Sequence, residues 1–249
     1  MASEPWRTGT VIRIVDETYN TRRFFIEVSE LEAFNFQPGQ FVTLDLPIHE
    51  NKNKRWRSYS IASWPDGTNV FELLVVLLVN GAGTTYLFNE VHIGSALLLR
   101  GPQGVFILPE TIEKDVFSIC TGTGIAPFRS MLHYIAMHQI PHKNIYLIFG
   151  CRTSKDLLYH EEMQALEREL PHFTYLPTLS RETWLGHTGY VHSIYEAICT
   201  RNVETADGIS NVKPAFFFLC GWKAMIDDAR KNIAALGYDR KSVHLELYG

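Results

Sequence analysis

The rhythm of the chain changes once, near Pro109. Before it, β-branched and aromatic runs alternate with turn residues; after it, strand-sized apolar runs alternate with helix-sized amphipathic ones. A chain of 249 residues that switches in this way is expected to fold as two successive domains, each long enough to bury its own core.

In the first part, residues 11–15, 23–28, 41–46, 70–79 and 96–100 read as strands, punctuated by Pro38-Gly39, Pro65-Asp66-Gly67 and Asn80-Gly81. With the strand-like stretch around Arg57, this makes six short strands and one helix-like stretch, 85–90. The pattern predicts a six-stranded antiparallel β-barrel over residues 1–110. In residues 111–249, strands at 115–120, 144–149, 173–179, 215–220 and 243–247 alternate with helices at 127–138, 158–170, 191–199 and 223–236. That alternation predicts a doubly wound α/β domain with a parallel sheet. Residues 205–211 read as a polar loop.

Several function classes are excluded by composition. With 23 basic and 27 acidic residues the net charge is −4, so nucleic acid is not an expected partner. No apolar run reaches membrane-span length, and Met-Ala-Ser-Glu-Pro does not read as a signal peptide. The expectation is a cytoplasmic, monomeric protein without membrane attachment. Cys120, Cys151, Cys199 and Cys220 are too far apart for a zinc or iron–sulfur motif, and the histidines show no metal pair at helical spacing. Any redox centre must therefore be organic, with no metal site.

Three runs carry the chemistry. Lys52-Asn53-Lys54-Arg55-Trp56-Arg57 concentrates four cations and runs into Ser58-Tyr59-Ser60. There Arg57 suits a pyrophosphate, Tyr59 a flavin face and the Ser60 hydroxyl the ring edge, with Ser58 in the same cofactor-binding run. Asn80-Gly81-Ala82-Gly83-Thr84-Thr85 is a loop entering a helix, where the N–H groups of Gly83, Thr84 and Thr85 suit a flavin diphosphate. Gly122-Thr123-Gly124-Ile125-Ala126-Pro127 stands at a strand-to-helix turn, where glycines let the backbone approach a second nucleotide.

With these runs, Gly101-Pro102-Gln103-Gly104, Phe149-Gly150-Cys151-Arg152, Leu179-Ser180-Arg181-Glu182 and Cys220-Gly221-Trp222-Lys223-Ala224-Met225 follow in order. Over nearly its whole length the chain resembles the ferredoxin–NADP⁺ reductase superfamily, of the flavodoxin or ferredoxin reductase type. The resemblance implies FAD in the barrel, a nicotinamide nucleotide on the second domain and the flavin at their junction. It places Val79 with the flavin-binding residues, and Cys220, Gly221 and Met225 with the nicotinamide. Leu245-Glu246-Leu247-Tyr248 is similar to the family's closing segment, which brings a carboxylate and a covering aromatic to the flavin, although here Gly249 follows the aromatic. Ser60, Cys220 and Glu246 are thus the expected catalytic shell, with Tyr248 as the gate.

Arg152 and Arg181 fall in loops after strands of the second domain, and Ser180, Arg181 and Tyr190 match positions that hold a 2′-phosphate in NADP-dependent relatives. The expected reaction is hydride exchange with NADP(H) and single-electron exchange with a ferredoxin or flavodoxin. The alternative is an NADH-dependent reductase component of an oxygenase, or a free flavin reductase, because Gly189-Tyr190-Val191 also resembles NADH-using members.

Overall fold

A computed structural model describes residues 4–201, 203–206 and 209–248. It divides into two compact units: residues 1–108 with 126–137, and residues 109–125 with 138–249. No helix among the described residues is long and apolar enough to cross a membrane.

The first unit holds β1 (Trp6–Thr18), β2 (Thr21–Glu27), β3 (Phe41–Asp45), β4 (Trp56–Ser60), β5 (Val70–Val76) and β6 (Ala96–Gln103). They form one antiparallel sheet in the order β4-β3-β6-β1-β2-β5, and the bridge between Ile61 and Leu73 brings its two ends together. Alternating side chains supply the core: Val42 and Leu44 from β3, Phe24 and Ile26 from β2, Phe71 and Leu73 from β5, Leu97 and Leu99 from β6. A side chain at Gly9 would collide there, its Cβ falling 2.5 Å from Ile26 Cγ2 and 2.6 Å from Leu99 Cδ2. Helix α1 (Ala82–Asn89) follows β5. The strand expected over 70–79 stops at Val76. Asn80 then takes a left-handed backbone (φ 62°) in the turn before α1.

Helix α2 (Ala126–His138) packs with this barrel through a buried ionic cluster. Arg23 forks onto Glu72, Nε to Oε1 at 2.7 Å and Nη2 to Oε2 at 3.0 Å. Arg129 Nη1 reaches Glu72 Oε2 at 3.2 Å and the carbonyl of Ala62 at 2.9 Å. Glu72 is 2% exposed, so its charge is tolerated because two guanidiniums meet it.

The second unit holds β7 (Asp115–Thr121), β8 (Ile145–Cys151), β9 (Phe173–Leu179) and the two-residue β10 (His187–Thr188). Helices α3 (His160–Glu169) and α4 (His192–Arg201) alternate with the strands. Next come β11 (Val203–Ala206) and β12 (Ile209–Val212), then β13 (Ala215–Trp222), helix α5 (Lys223–Ala235) and β14 (Val243–Tyr248). The main sheet is parallel, in the order β10-β9-β8-β7-β13-β14. β11 and β12 pair with each other in a separate antiparallel ladder. Part of 205–211 is thus paired backbone and not loop, and residues 207–208 lie outside the described residues. From β7 the sheet grows one way through β8, β9 and β10 and the other way through β13 and β14. Its order reverses between β7 and β13, and the crevice outside the carboxyl ends of such strands is where doubly wound sheets bind ligands.

Candidate functional site

In the first unit, β4 positions the arginine–tyrosine pair. Val42 pairs with Tyr59 and Leu44 with Arg57, so Arg57 and Tyr59 share the core-facing side of the strand, and Tyr59 packs half-buried against the barrel core. Burial pushes the Tyr59 phenol up to about 12, against the opposing pull of Arg57. Ser58 and Ser60 fall on the other side by strand alternation. Ser58 Oγ lies 3.1 Å from Thr43 Oγ1, and Ser60 is buried.

Arg57 Nη1 donates to the carbonyls of Trp56 (2.7 Å) and Lys54 (3.1 Å). Its stem lies against the first turn of α1: a Cβ at Gly83 would come within 3.0 Å of Arg57 Cγ and 3.3 Å of its Nε. That turn has neither a side-chain cap on its N-cap, Gly81, nor an acidic residue, so its N–H groups are left for an anion. Thr84 and Thr85 differ. Thr84 Oγ1 is committed to the loop, accepting from Leu78 N and donating to Gly81 O, both at 3.1 Å, whereas Thr85 is exposed. Val79 lies in the turn after β5 and is 92% exposed.

In the second unit the switch point is tightly built. Gly122 (φ 54°) has open space where a side chain would stand. Gly124 admits none, since its Cβ would lie 2.3 Å from the carbonyl oxygen of Cys220. Thr123 is half-buried between them. Gly221 (φ 144°) is crossed by Thr121, whose Oγ1 would stand 2.4 Å from a Cβ, and Met225 Cε closes the other side at 3.3 Å. One cross-strand row runs Phe149, Cys120, Cys220, Glu246 over β8, β7, β13 and β14, and Tyr248 pairs with Trp222 two residues further on. Burial pushes the Cys220 thiol well above its ordinary range; the Glu246 carboxylate adds to the rise and a hydrogen bond with Tyr248 opposes it.

The loops after β8 and β9 lie side by side: Ser180 N donates to Cys151 O at 3.0 Å and Arg181 N to Arg152 O at 2.9 Å. Ser180 Oγ also donates to Cys151 O, at 3.2 Å. Both arginines are exposed, and apart from the backbone bond between them neither guanidinium has a hydrogen-bond or ion-pair partner among the described residues. Tyr190 is 75% exposed, just before α4.

Two family models match the chain: an oxidoreductase FAD-binding domain over residues 8–107 and an oxidoreductase NAD-binding domain over residues 119–231. Ferredoxin–NADP reductase B of Sorangium cellulosum is 34% identical over 230 residues, covering 91% of each chain. The chain belongs to the ferredoxin–NADP⁺ reductase superfamily. Another superfamily relative, the anthranilate 1,2-dioxygenase electron transfer component of Acinetobacter baylyi, is 32% identical over 197 residues. That match takes in 77% of this chain and 55% of the relative. Among solved structures, a ferredoxin NADP⁺ reductase from Neisseria gonorrhoeae with bound FAD and NADP superposes with a TM-score of 0.79. It covers 97% of this chain and 98% of that one at 24% identity, a likeness of fold.

As a member of this superfamily the chain is an FAD- and NAD(P)-binding oxidoreductase, and its own residues fit both nucleotides. The uncapped first turn of α1 beside Arg57 suits a diphosphate. The Gly122–Gly124 turn has open space at Gly122 and leads straight into α2, which has no acid in its first turn. Sequence reasoning passed over Thr121, whose side chain fills the place of the missing Gly221 Cβ, and Arg129, which anchors α2. The only signal for Arg129 was a cation on an apolar helix face.

Proposed function

We propose that the protein oxidises NADPH and passes the electrons singly to a ferredoxin or flavodoxin. Bound FAD would supply the conversion of one hydride into two single electrons. The observation that carries the choice of NADPH is the pair of unpartnered guanidiniums, Arg152 and Arg181, held on neighbouring loops at the ligand edge of the sheet. A 2′-phosphate is a dianion that such a pair recognises. Ser180 directly precedes Arg181 in the chain, and Tyr190 follows nine residues after it.

In this reading Arg57 and the first turn of α1 hold the FAD diphosphate, Tyr59 covers the flavin as a neutral phenol, and Ser60 donates to its reactive edge. Cys220 and Glu246, paired on one face, line the nicotinamide side, where a neutral thiol leaves room for ring stacking. Tyr248 covers the flavin until the nicotinamide displaces it. Lys52 and Lys54 are exposed and their ammonium groups have no hydrogen-bond or ion-pair partner among the described residues, whereas the Arg55 guanidinium is held by Asp45 at 2.7 Å. The two lysines therefore suit an acidic electron carrier.

The test is Arg181→Ala. It should raise KM for NADPH at least tenfold, the loss of one charge-assisted phosphate contact, and leave KM for NADH within about twofold. A wild-type protein that uses NADH better would favour the oxygenase-reductase reading, in line with relatives such as the anthranilate dioxygenase component.

A further inference from the structure

Two acids share the edge with the two arginines, and neither is spent on them. Glu182 Oε2 accepts from the backbone N–H of Ser154 at 2.9 Å, and Ser154 Oγ donates to Oε1 at 2.9 Å and to Oε2 at 3.1 Å. Asp156 Oδ2 accepts from the N–H of Thr153 at 2.9 Å and from its Oγ1 at 2.8 Å. Each carboxylate is thus turned into the tight turn at residues 153–156 by one amide and one hydroxyl.

Glu182 directly follows Arg181, whose N–H bonds to Arg152 O, and Ser154 is two residues beyond Arg152. A free carboxylate here, adjacent in sequence to Arg181, could pair with a guanidinium in water at little expense. It would then compete with any phosphate for the same donors. Held by Ser154, the carboxylate has its lone pairs satisfied and its charge fixed on the turn, and the guanidiniums stay unpaired.

We infer that Ser154 is a specificity-determining residue: by holding Glu182 on the 153–156 turn, it keeps Arg152 and Arg181 open for the 2′-phosphate of the nucleotide. The inference rests on the NADPH reading above. Ser154 touches neither nucleotide nor flavin in this account; it acts through Glu182, as a positioning residue.

The experiment titrates adenosine 2′,5′-bisphosphate and 5′-ADP into the flavin-loaded protein and three variants, Ser154→Ala, Glu182→Gln and the double variant. Ser154→Ala should weaken the bisphosphate about threefold to fivefold, the worth of one competing exposed ion pair, and leave 5′-ADP unchanged. Glu182→Gln should bind the bisphosphate at least as well as wild type, because an amide oxygen still accepts from Ser154 and carries no charge. The double variant should recover wild-type affinity. That recovery separates release of a competing carboxylate from simple loss of the turn's hydrogen bonds, which the second substitution would not repair. If Ser154→Ala weakens both ligands alike, or if the double variant stays weak, the inference is overturned while the NADPH reading stands. If wild type binds the bisphosphate no better than 5′-ADP, the NADPH reading fails and the inference fails with it.

Discussion

Cys220 and Glu246 stand opposite one another across β13 and β14, in register and therefore on the same face of the sheet. Cys120 flanks Cys220 on the other side, in the same row. Burial is the main reason both thiols are held well above their ordinary range, so neither is a thiolate at neutral pH.

A thiol reagent should therefore distinguish the cysteines sharply. Cys120 and Cys220 are expected to stay unmodified by a disulfide-exchange reagent in the folded protein and to react at once in denaturant. Labelling of Cys220 in the native state, located by peptide mass, would contradict the burial described. Cys220→Ser keeps size and neutrality but changes the polarisable atom beside Glu246. It should leave FAD content intact and slow flavin reduction about tenfold, the scale of a small misplacement at the reacting centre. Stopped-flow absorbance measures that step.

The buried Glu72 cluster gives a prediction about stability. Glu72→Ala removes the ion pair that buried Arg129 makes with Glu72 and keeps its bond to the Ala62 carbonyl. The loss should be about 3–5 kcal/mol, the usual result of breaking a buried pair from one side. Urea unfolding would read it as a lower midpoint. A change below about 1 kcal/mol would mean that water reaches the cluster.

The pH profile of stability should fall on both sides of neutrality. Tyr59 titrates near 12 when folded, and burial raises Tyr175, Tyr195 and Tyr238 in the same direction. Unfolded phenols ionise near 10. The unfolded state therefore loses protons first, and stability, full below about pH 10, declines as pH rises from there. Burial acts the other way on His160, His192 and His244, whose pKa values lie below the ordinary one. As pH drops below about 6.5 the unfolded state takes up protons first, and stability is lost. Melting temperatures across pH, with tyrosinate absorbance on the alkaline side, check both limbs.

The elements themselves were legible because each carries its own period. Val42, Leu44 and their neighbours alternate as a half-buried strand must, and residues 116–120 form an apolar run interrupted only by Ser118, fit for a covered parallel strand. What escaped was whatever composition does not mark. β10 is only two residues, paired with β9, and β11 with β12 is a short ladder that mixes polar and apolar residues. β5 stops at Val76 although residues 77–79 still read as strand by composition, and the chain then turns through the left-handed Asn80. The same division applies to the site. Glycine runs and the Arg57–Tyr59 pair announce themselves locally, whereas the engagement of Glu182 by Ser154, 28 residues away, exists only once β8 and β9 lie side by side.

The most direct test of the account is to mix the flavin-loaded protein anaerobically with NADPH or NADH and follow the flavin absorbance in single turnover. The account predicts one FAD per chain, bleached by NADPH at a concentration at least tenfold below that needed with NADH, the discrimination expected of a charge-assisted phosphate site. Equal use of the two nucleotides, or faster bleaching by NADH, would contradict it.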